Sequence, residues 1–235
     1  MKTKQNIDLK SIINNEILRN DNAKAPLHFH LSQDIGLVEE LLKVKYKSEV
    51  LRRIPPENYK EPDKELLQNI RDVAGWLCNP NKRPGLLLYG KVGTGKTTLL
   101  RAVCNVINRL CEREKDEQGR RETTLDDFNC ISIVKAKGII DDFVQKRHRY
   151  DLMSSVVALL AIDELGVEPT ESKMYGNVSE PIIDLFCERY DRQLCTIIST
   201  NLGNAEIKER YGTRLADRFN EMFTTIPFNG QSYRQ

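Results

Sequence analysis

Residues 85–98 read Gly-Leu-Leu-Leu-Tyr-Gly-Lys-Val-Gly-Thr-Gly-Lys-Thr-Thr. An apolar run, Gly85 to Tyr89, is followed by Gly90, Lys91, Val92, Gly93, Thr94, Gly95, Lys96, Thr97 and Thr98, which fit the P-loop pattern G-x-x-x-x-G-K-[ST]. The glycines let the backbone curl and bring its N–H groups against phosphate, an approach a Cβ would obstruct. Lys96 is spaced to reach the β- and γ-phosphates, and the Thr97 hydroxyl to ligate Mg²⁺. Downstream, Leu99, Leu100, Val103, Val106, Ile107 and Leu110 recur at helical spacing. The helix that begins near Gly95 therefore points its positive end at the same anion. A glycine-rich turn without a ligand has no need of Lys and Thr at those two positions.

Outward from this stretch the pattern alternates helix and strand. Leu67, Ile70, Val73, Ala74 and Leu77 line one face of a helix over residues 66–78. Four apolar runs follow the P-loop strand, at 131–134, 156–162, 196–200 and 224–228. Short apolar runs separated by helices predict a parallel sheet covered on both faces, an α/β three-layer fold. A further helix is expected over 179–194, with Ser179 as N-cap and Pro181 in its first turn.

The run from Val156 ends in Asp163-Glu164. Ligands of α/β sheets bind at the carboxyl ends of the strands. Asp163 is thus a candidate Mg²⁺ ligand, and Glu164 a candidate base that orients the attacking water. Thr196–Thr200 ends in Asn201, whose amide either reaches the γ-phosphate and lytic water or simply forms the turn into Leu202-Gly203. Arg214 and Arg218 stand four apart on one helix face, either as a solvated surface or as an arginine finger for a neighbouring subunit. Arg234 is either a tail residue or a nucleotide contact.

Together, the P-loop strand, the Asp-Glu strand, the Ser-Thr-Asn strand end, Tyr211-Gly212-x-Arg214-x-x-Asp217-Arg218 and Ser232-Tyr233-Arg234 resemble the AAA+ ATPases of the DnaC/DnaI helicase-loader and IstB group. The resemblance covers residues 65–235. It implies a P-loop NTPase with a five-stranded parallel sheet, the Asn201 strand lying between the P-loop and Asp-Glu strands, and no C-terminal lid. It also implies Mg²⁺-dependent hydrolysis of ATP, with Asn201 as sensor, Arg218 as the finger ahead of Arg214, and Arg234 as a late sensor arginine. Lys96, Glu164, Asn201 and Arg218 then form the catalytic set.

Residues 1–60 carry no strand pattern and align with nothing in the family. Ile12, Ile13, Ile17 and Leu18 mark one amphipathic stretch; Leu37, Val38, Leu41 and Leu42 begin another, stopped by Pro55-Pro56. This stretch reads either as a small helical appendage that grips a partner or as a cap packed on an ATPase domain over 61–235. The partner implied by the family is a replicative helicase, or a transposase if the chain is an IstB-like regulator of transposition. A third reading, a passive adaptor, leaves Glu164 and Arg218 without purpose. Lys135, Lys137, Lys146, Arg147 and Arg149 with Tyr150 are candidate single-stranded DNA contacts, or else a solvated helix end. In the family that region lines a DNA channel once ATP drives subunits into a ring or filament.

Composition sets wider bounds. The chain has 235 residues, 40% hydrophobic and 30% charged, with a net charge of +2. That balance does not by itself call for nucleic acid, so polyanion binding must come from local patches. No apolar run approaches the ~20 residues of a membrane span. The start, MKTKQNIDLK, lacks a signal-peptide core, so a cytoplasmic protein is expected. The six cysteines form no C-x-x-C pair and are expected to be reduced thiols.

Overall fold

A computed structural model describes residues 29–31, 33–111, 131–144, 159–170, 172–174 and 177–233. Its centre is a five-stranded, all-parallel sheet. In chain order the strands are β1 (Gly85–Gly90), β2 (Ser132–Lys135), β3 (Leu159–Leu165), β6 (Cys195–Thr200) and β7 (Phe223–Phe228). Their spatial order is β2-β3-β6-β1-β7. The Asn201 strand therefore lies between the P-loop strand and the Asp-Glu strand, as the resemblance implies. Pro227 is tolerated because β7 is an edge.

Alternation along the strands divides the core into two layers. Leu86, Leu88, Ala161 and Ile197 face one side, where α1 (Ile35–Leu51), α2 (Lys64–Cys78) and α3 (Lys96–Cys111) pack. Leu87, Leu160, Ile162 and Ile198 face the other. That second layer holds α4 (Ala136–Val144), α5 (Pro181–Asp191), α6 (Asn204–Tyr211) and α7 (Thr213–Met222). Both faces are covered, which is why the strands read as continuous apolar runs and not as alternations.

The second amphipathic stretch is the helix α1, and it packs as a cap. Asp34 starts it by accepting the Leu37 N–H at 3.1 Å. Val38, Leu42 and Tyr46 point into the core against α2 and α3, while Leu37 is 69% exposed. Each buried apolar side chain contributes about 1.5–3 kcal/mol by leaving water. Residues 12–18, the first amphipathic stretch, lie outside the described residues.

Several local expectations need correction. Ser179 does not cap a helix: it ends β5 (Asn177–Ser179), which pairs antiparallel with β4 (Ser172–Met174). Helix α5 starts at Pro181 behind Glu180, because the proline supplies helical φ where no N–H is needed and keeps its predecessor extended. It stops at Asp191, three residues short of Leu194. The Tyr211-to-Arg218 motif is not one helix either; Gly212, at φ +87°, separates α6 from α7. Strand β2 runs one residue later than expected, and β3 extends through Asp163 and Glu164 to Leu165. Residues 156–158 lie outside the described part.

Candidate functional site

The carboxyl ends of β1, β3 and β6 open into one cavity of about 1000 Å³. Of the residues singled out in the sequence, Val92, Gly93, Gly95, Lys96, Thr97, Thr98, Lys135, Asp163, Glu164 and Asn201 line it. Gly90, Lys91 and Thr94 shape the loop instead. Lys96 Nζ donates to the carbonyls of Gly90 at 2.7 Å and Lys91 at 2.5 Å, and Thr94 Oγ1 donates to the Lys91 carbonyl at 2.9 Å. A Cβ on Gly90, at φ +137°, would lie 2.2 Å from the Phe228 carbonyl oxygen. One on Gly95, at φ +98°, would lie 2.6 Å from the Tyr46 hydroxyl of α1. The second glycine is thus needed both for the turn and for the seat of α1 beneath it.

Asp163 is 1% exposed. Its Oδ1 accepts from Thr97 Oγ1 at 2.9 Å and from Ser199 Oγ at 2.5 Å. Among the described residues it has no cationic partner. A buried carboxylate beside a threonine hydroxyl is an oxygen donor set suited to a hard divalent ion such as Mg²⁺. Among those residues no three acidic, His or Cys side chains converge.

In a regular strand Asp163 and Glu164 would face opposite sides. The β3–β6 register shifts between Ile162 and Leu165, and Glu164 adopts φ +62°, so both line the cavity. That φ is uncommon outside glycine and marks a locally strained backbone. Ser199, a residue the sequence reading passed over, holds this turn: it accepts the Glu164 N–H at 3.1 Å while donating to Asp163. Glu164 Oε2 is 3.1 Å from the Lys135 ammonium.

Opposite the P-loop, α1 and the residues after it supply an apolar wall of Tyr46, Val50, Ile54, Tyr59 and Pro62, closed by Tyr233. The Tyr233 N–H donates to the Gly93 carbonyl at 2.9 Å, and its hydroxyl accepts from the Asp63 N–H at 3.3 Å. Burial pushes the Tyr46, Tyr59 and Tyr233 hydroxyls above the ordinary tyrosine range, so they remain neutral at physiological pH. Apolar and aromatic side chains beside a phosphate cradle, interspersed with Arg53, Glu57, Asn58 and Lys60, suit a nucleotide.

Arg214 and Arg218 stand apart from this cavity. Arg214 is exposed. The Arg218 guanidinium lies 4.9 Å from the centre of the Tyr190 ring and 3.6 Å from Asp191, and its Nη1 has no hydrogen-bond partner. Lys137 is exposed on α4. Arg234, Lys146, Arg147 and Arg149 lie outside the described residues.

Parallel strand order, the loop after β1 and the paired acids on β3 define a P-loop nucleoside triphosphatase. The model of the ATPase family associated with various cellular activities (AAA) matches residues 86–224, more than half of the chain, and the chain belongs to that family. No curated protein matches the sequence. Among solved structures, that of DnaI is 17% identical, covers 83% of this chain and 93% of its own, and superposes with a TM-score of 0.52. The DnaC helicase loader is 19% identical, with 74% and 95% covered and a TM-score of 0.49. AMPPCP-bound DnaA from Aquifex aeolicus is 20% identical, with 72% and 49% covered and a TM-score of 0.47. At these identities the likeness is one of fold. No helix among the described residues is long and apolar enough to cross a membrane.

Proposed function

We propose that this AAA ATPase is a loader of the replicative helicase, which binds and hydrolyses ATP to control placement of the helicase on single-stranded DNA. The observation that carries the ATPase half is the convergence of Lys96, Thr97, Asp163, Glu164 and Asn201 on one cavity. The loader half is supported by the order of motifs from Gly90 to Arg234 and by the fold shared with DnaI.

In this reading Gly90–Thr98 cradle the phosphates, and Lys96 meets the β- and γ-phosphates. Thr97 and Asp163 would hold Mg²⁺, which would supply neutralisation of phosphate charge. Glu164 takes the proton of the attacking water, and Asn201 orients that water against the γ-phosphate. Arg218 completes the site of a neighbouring copy in a ring or filament. A finger given in trans fits a guanidinium that lies outside its own chain's cavity. Arg234 is assigned to the same nucleotide. The helicase-facing segment falls within residues 1–60, of which α1 and the residues after it also pack on the ATPase domain of 61–235 and line its cavity. Lys135 and Lys137, with Lys146, Arg147 and Arg149, face single-stranded DNA.

The test is a pull-down from the native host with the full chain as bait, with ATP and Mg²⁺. Recovery of a hexameric helicase supports loading; recovery of a transposase instead assigns the chain to transposition. Calorimetry with Mg-ATP checks the ATPase half separately, and the absence of heat from folded protein removes it.

A further inference from the structure

Two arginines that no motif singles out line the cavity, Arg53 from beyond α1 and Arg101 from the P-loop helix itself. Arg53 stands two residues past α1, and its Nη1 donates to Thr98 Oγ1 at 3.4 Å. Arg101 lies on α3 four residues after Thr97 and three after Thr98, so it shares their helix face. Its Nε is buried and has no hydrogen-bond partner. A buried guanidinium donor left unpaired costs stability unless a ligand completes it. Both side chains line the cavity, as does Lys60. Glu57 lines the same wall, and Glu49, nearby, is already engaged by Arg52 and Asn105 at 2.9 and 2.7 Å.

The cavity has a direction. Asp163, Glu164 and Thr97 mark the end that receives the terminal phosphate. Val50, Ile54 and Tyr59 supply the apolar lining against which a base would pack. Arg53 belongs to that wall yet donates to Thr98, the last residue of the loop motif, so it spans from the wall to the phosphate cradle. Arginine suits this position because its fork binds phosphate oxygens bidentately.

We propose that Arg53 and Arg101 grip the α-phosphate and ribose end of a bound nucleoside di- or triphosphate, and that Arg53 thereby ties α1 to the P-loop helix when nucleotide is present. This rests on reading the cavity as the ATP site. Nucleotide occupancy is then felt directly by the N-terminal helix, with no lid required to report it.

The experiment uses the full chain with Mg-ADP. Calorimetry on Arg53→Gln and Arg101→Gln is expected to show affinity reduced by about tenfold or more in each, the loss of one charge-assisted hydrogen bond. Arg53 is exposed at the cavity mouth, so its variant should fold, and Arg52→Gln, which removes the neighbouring charge outside the cavity, should bind as wild type. Hydrogen exchange supplies the second readout. ADP should protect amides of residues 35–53 and of 90–98 in the wild type, and in Arg53→Gln saturated with ADP only those of 90–98. The proposal is overturned if both variants bind ADP as tightly as wild type, or if ADP protects 90–98 in the wild type while 35–53 exchange unchanged. A wild type giving neither heat nor protection at 90–98 removes the nucleotide site itself, a distinct result.

Discussion

The ammonium of Lys135, at the end of β2, lies 3.1 Å from Glu164 Oε2 at the end of β3. Parallel pairing sets Lys135 beside Asp163, so the lysine reaches the next carboxylate along. The residue assigned as base is thus held by a cation on the neighbouring strand. Both side chains are largely solvated, at 64% and 43% exposure, so the pair contributes little to stability, within about 1 kcal/mol. Its consequence is for chemistry. Lys135→Ala should leave the melting temperature nearly unchanged and raise basal ATP turnover several-fold by releasing Glu164. Glu164→Gln should abolish turnover and trap ATP. A steady-state phosphate-release assay decides: equal basal rates in Lys135→Ala and wild type remove the restraint, and wild-type turnover in Glu164→Gln removes the base.

Lys96 supplies the ammonium that the loop motif reserves for phosphate, and it is 7% exposed, held by two loop carbonyls. Lys96→Ala deletes contacts to two phosphates, each a hydrogen bond between charged groups worth about 1.5–3 kcal/mol. Affinity for Mg-ATP should fall by roughly 10²–10⁴-fold in calorimetry. Unchanged affinity would refute the site.

Arg218 tests assembly. Arg218→Ala should leave the affinity of a dilute monomer for nucleotide unchanged, because the side chain does not line its own cavity. Hydrolysis stimulated by single-stranded DNA should drop by about 10³-fold or more if the arginine is a finger. Identical hydrolysis with and without it, at concentrations where copies associate, excludes a trans role.

Lys82 gives a pH signature. It is 6% exposed, with its ammonium 3.7 Å from the centre of the Trp76 ring, and burial lowers its pKa from 10.5 to about 8. Between pH 8 and 10.5 the unfolded chain therefore binds more protons at this site than the folded one, so this site's contribution to stability rises with pH across that window. The Trp76 and Phe29 rings and the Leu77 carbonyl, which accepts from the ammonium at 3.4 Å, favour the charged form and work against the shift, but burial outweighs them because they replace only part of the lost hydration. Buried thiols such as Cys195, whose pKa burial raises to about 11, slope the other way in the same range. The clean measurement is a difference. Relative to Lys82→Met, wild type should gain on the order of 1–3 kcal/mol in denaturant unfolding as pH goes from 8 to 10.5. A constant difference would show that Lys82 does not change its charge there.

The P-loop and the acidic pair were legible because each has a local signature: glycine spacing, a run of Leu or Ile, a charge where the run ends. The place of the Asn201 strand between them came from the family resemblance, since no local pattern fixes strand order. Ser199 was not legible. A serine inside Thr-Ile-Ile-Ser-Thr looks like any strand residue, and only the pairing of Ile162 with Ile198 brings it beside Asp163. Arg53 and Arg101 belong to no motif and reach one cavity only through the packing of α1 on α3. The stretch containing α1 could be read equally as cap or appendage, since an amphipathic stripe does not say what covers it; of Leu37, Val38, Leu41 and Leu42, the core takes Val38 and Leu42 fully and Leu41 in part, and leaves Leu37 exposed. The β4–β5 hairpin has three-residue strands, too short for any period to show.

The two layers of the core carry the two halves of the proposed composite site: α1 and the loop on one side of the sheet, the Arg218 helix on the other. Copies that share such a site must meet head to tail, so the array has a direction. A protomer lacking Lys96 could still lend its guanidinium, and one lacking Arg218 could still hold ATP. Blending those two inactive preparations should therefore restore hydrolysis that neither shows alone, at the junctions where the surviving halves face each other.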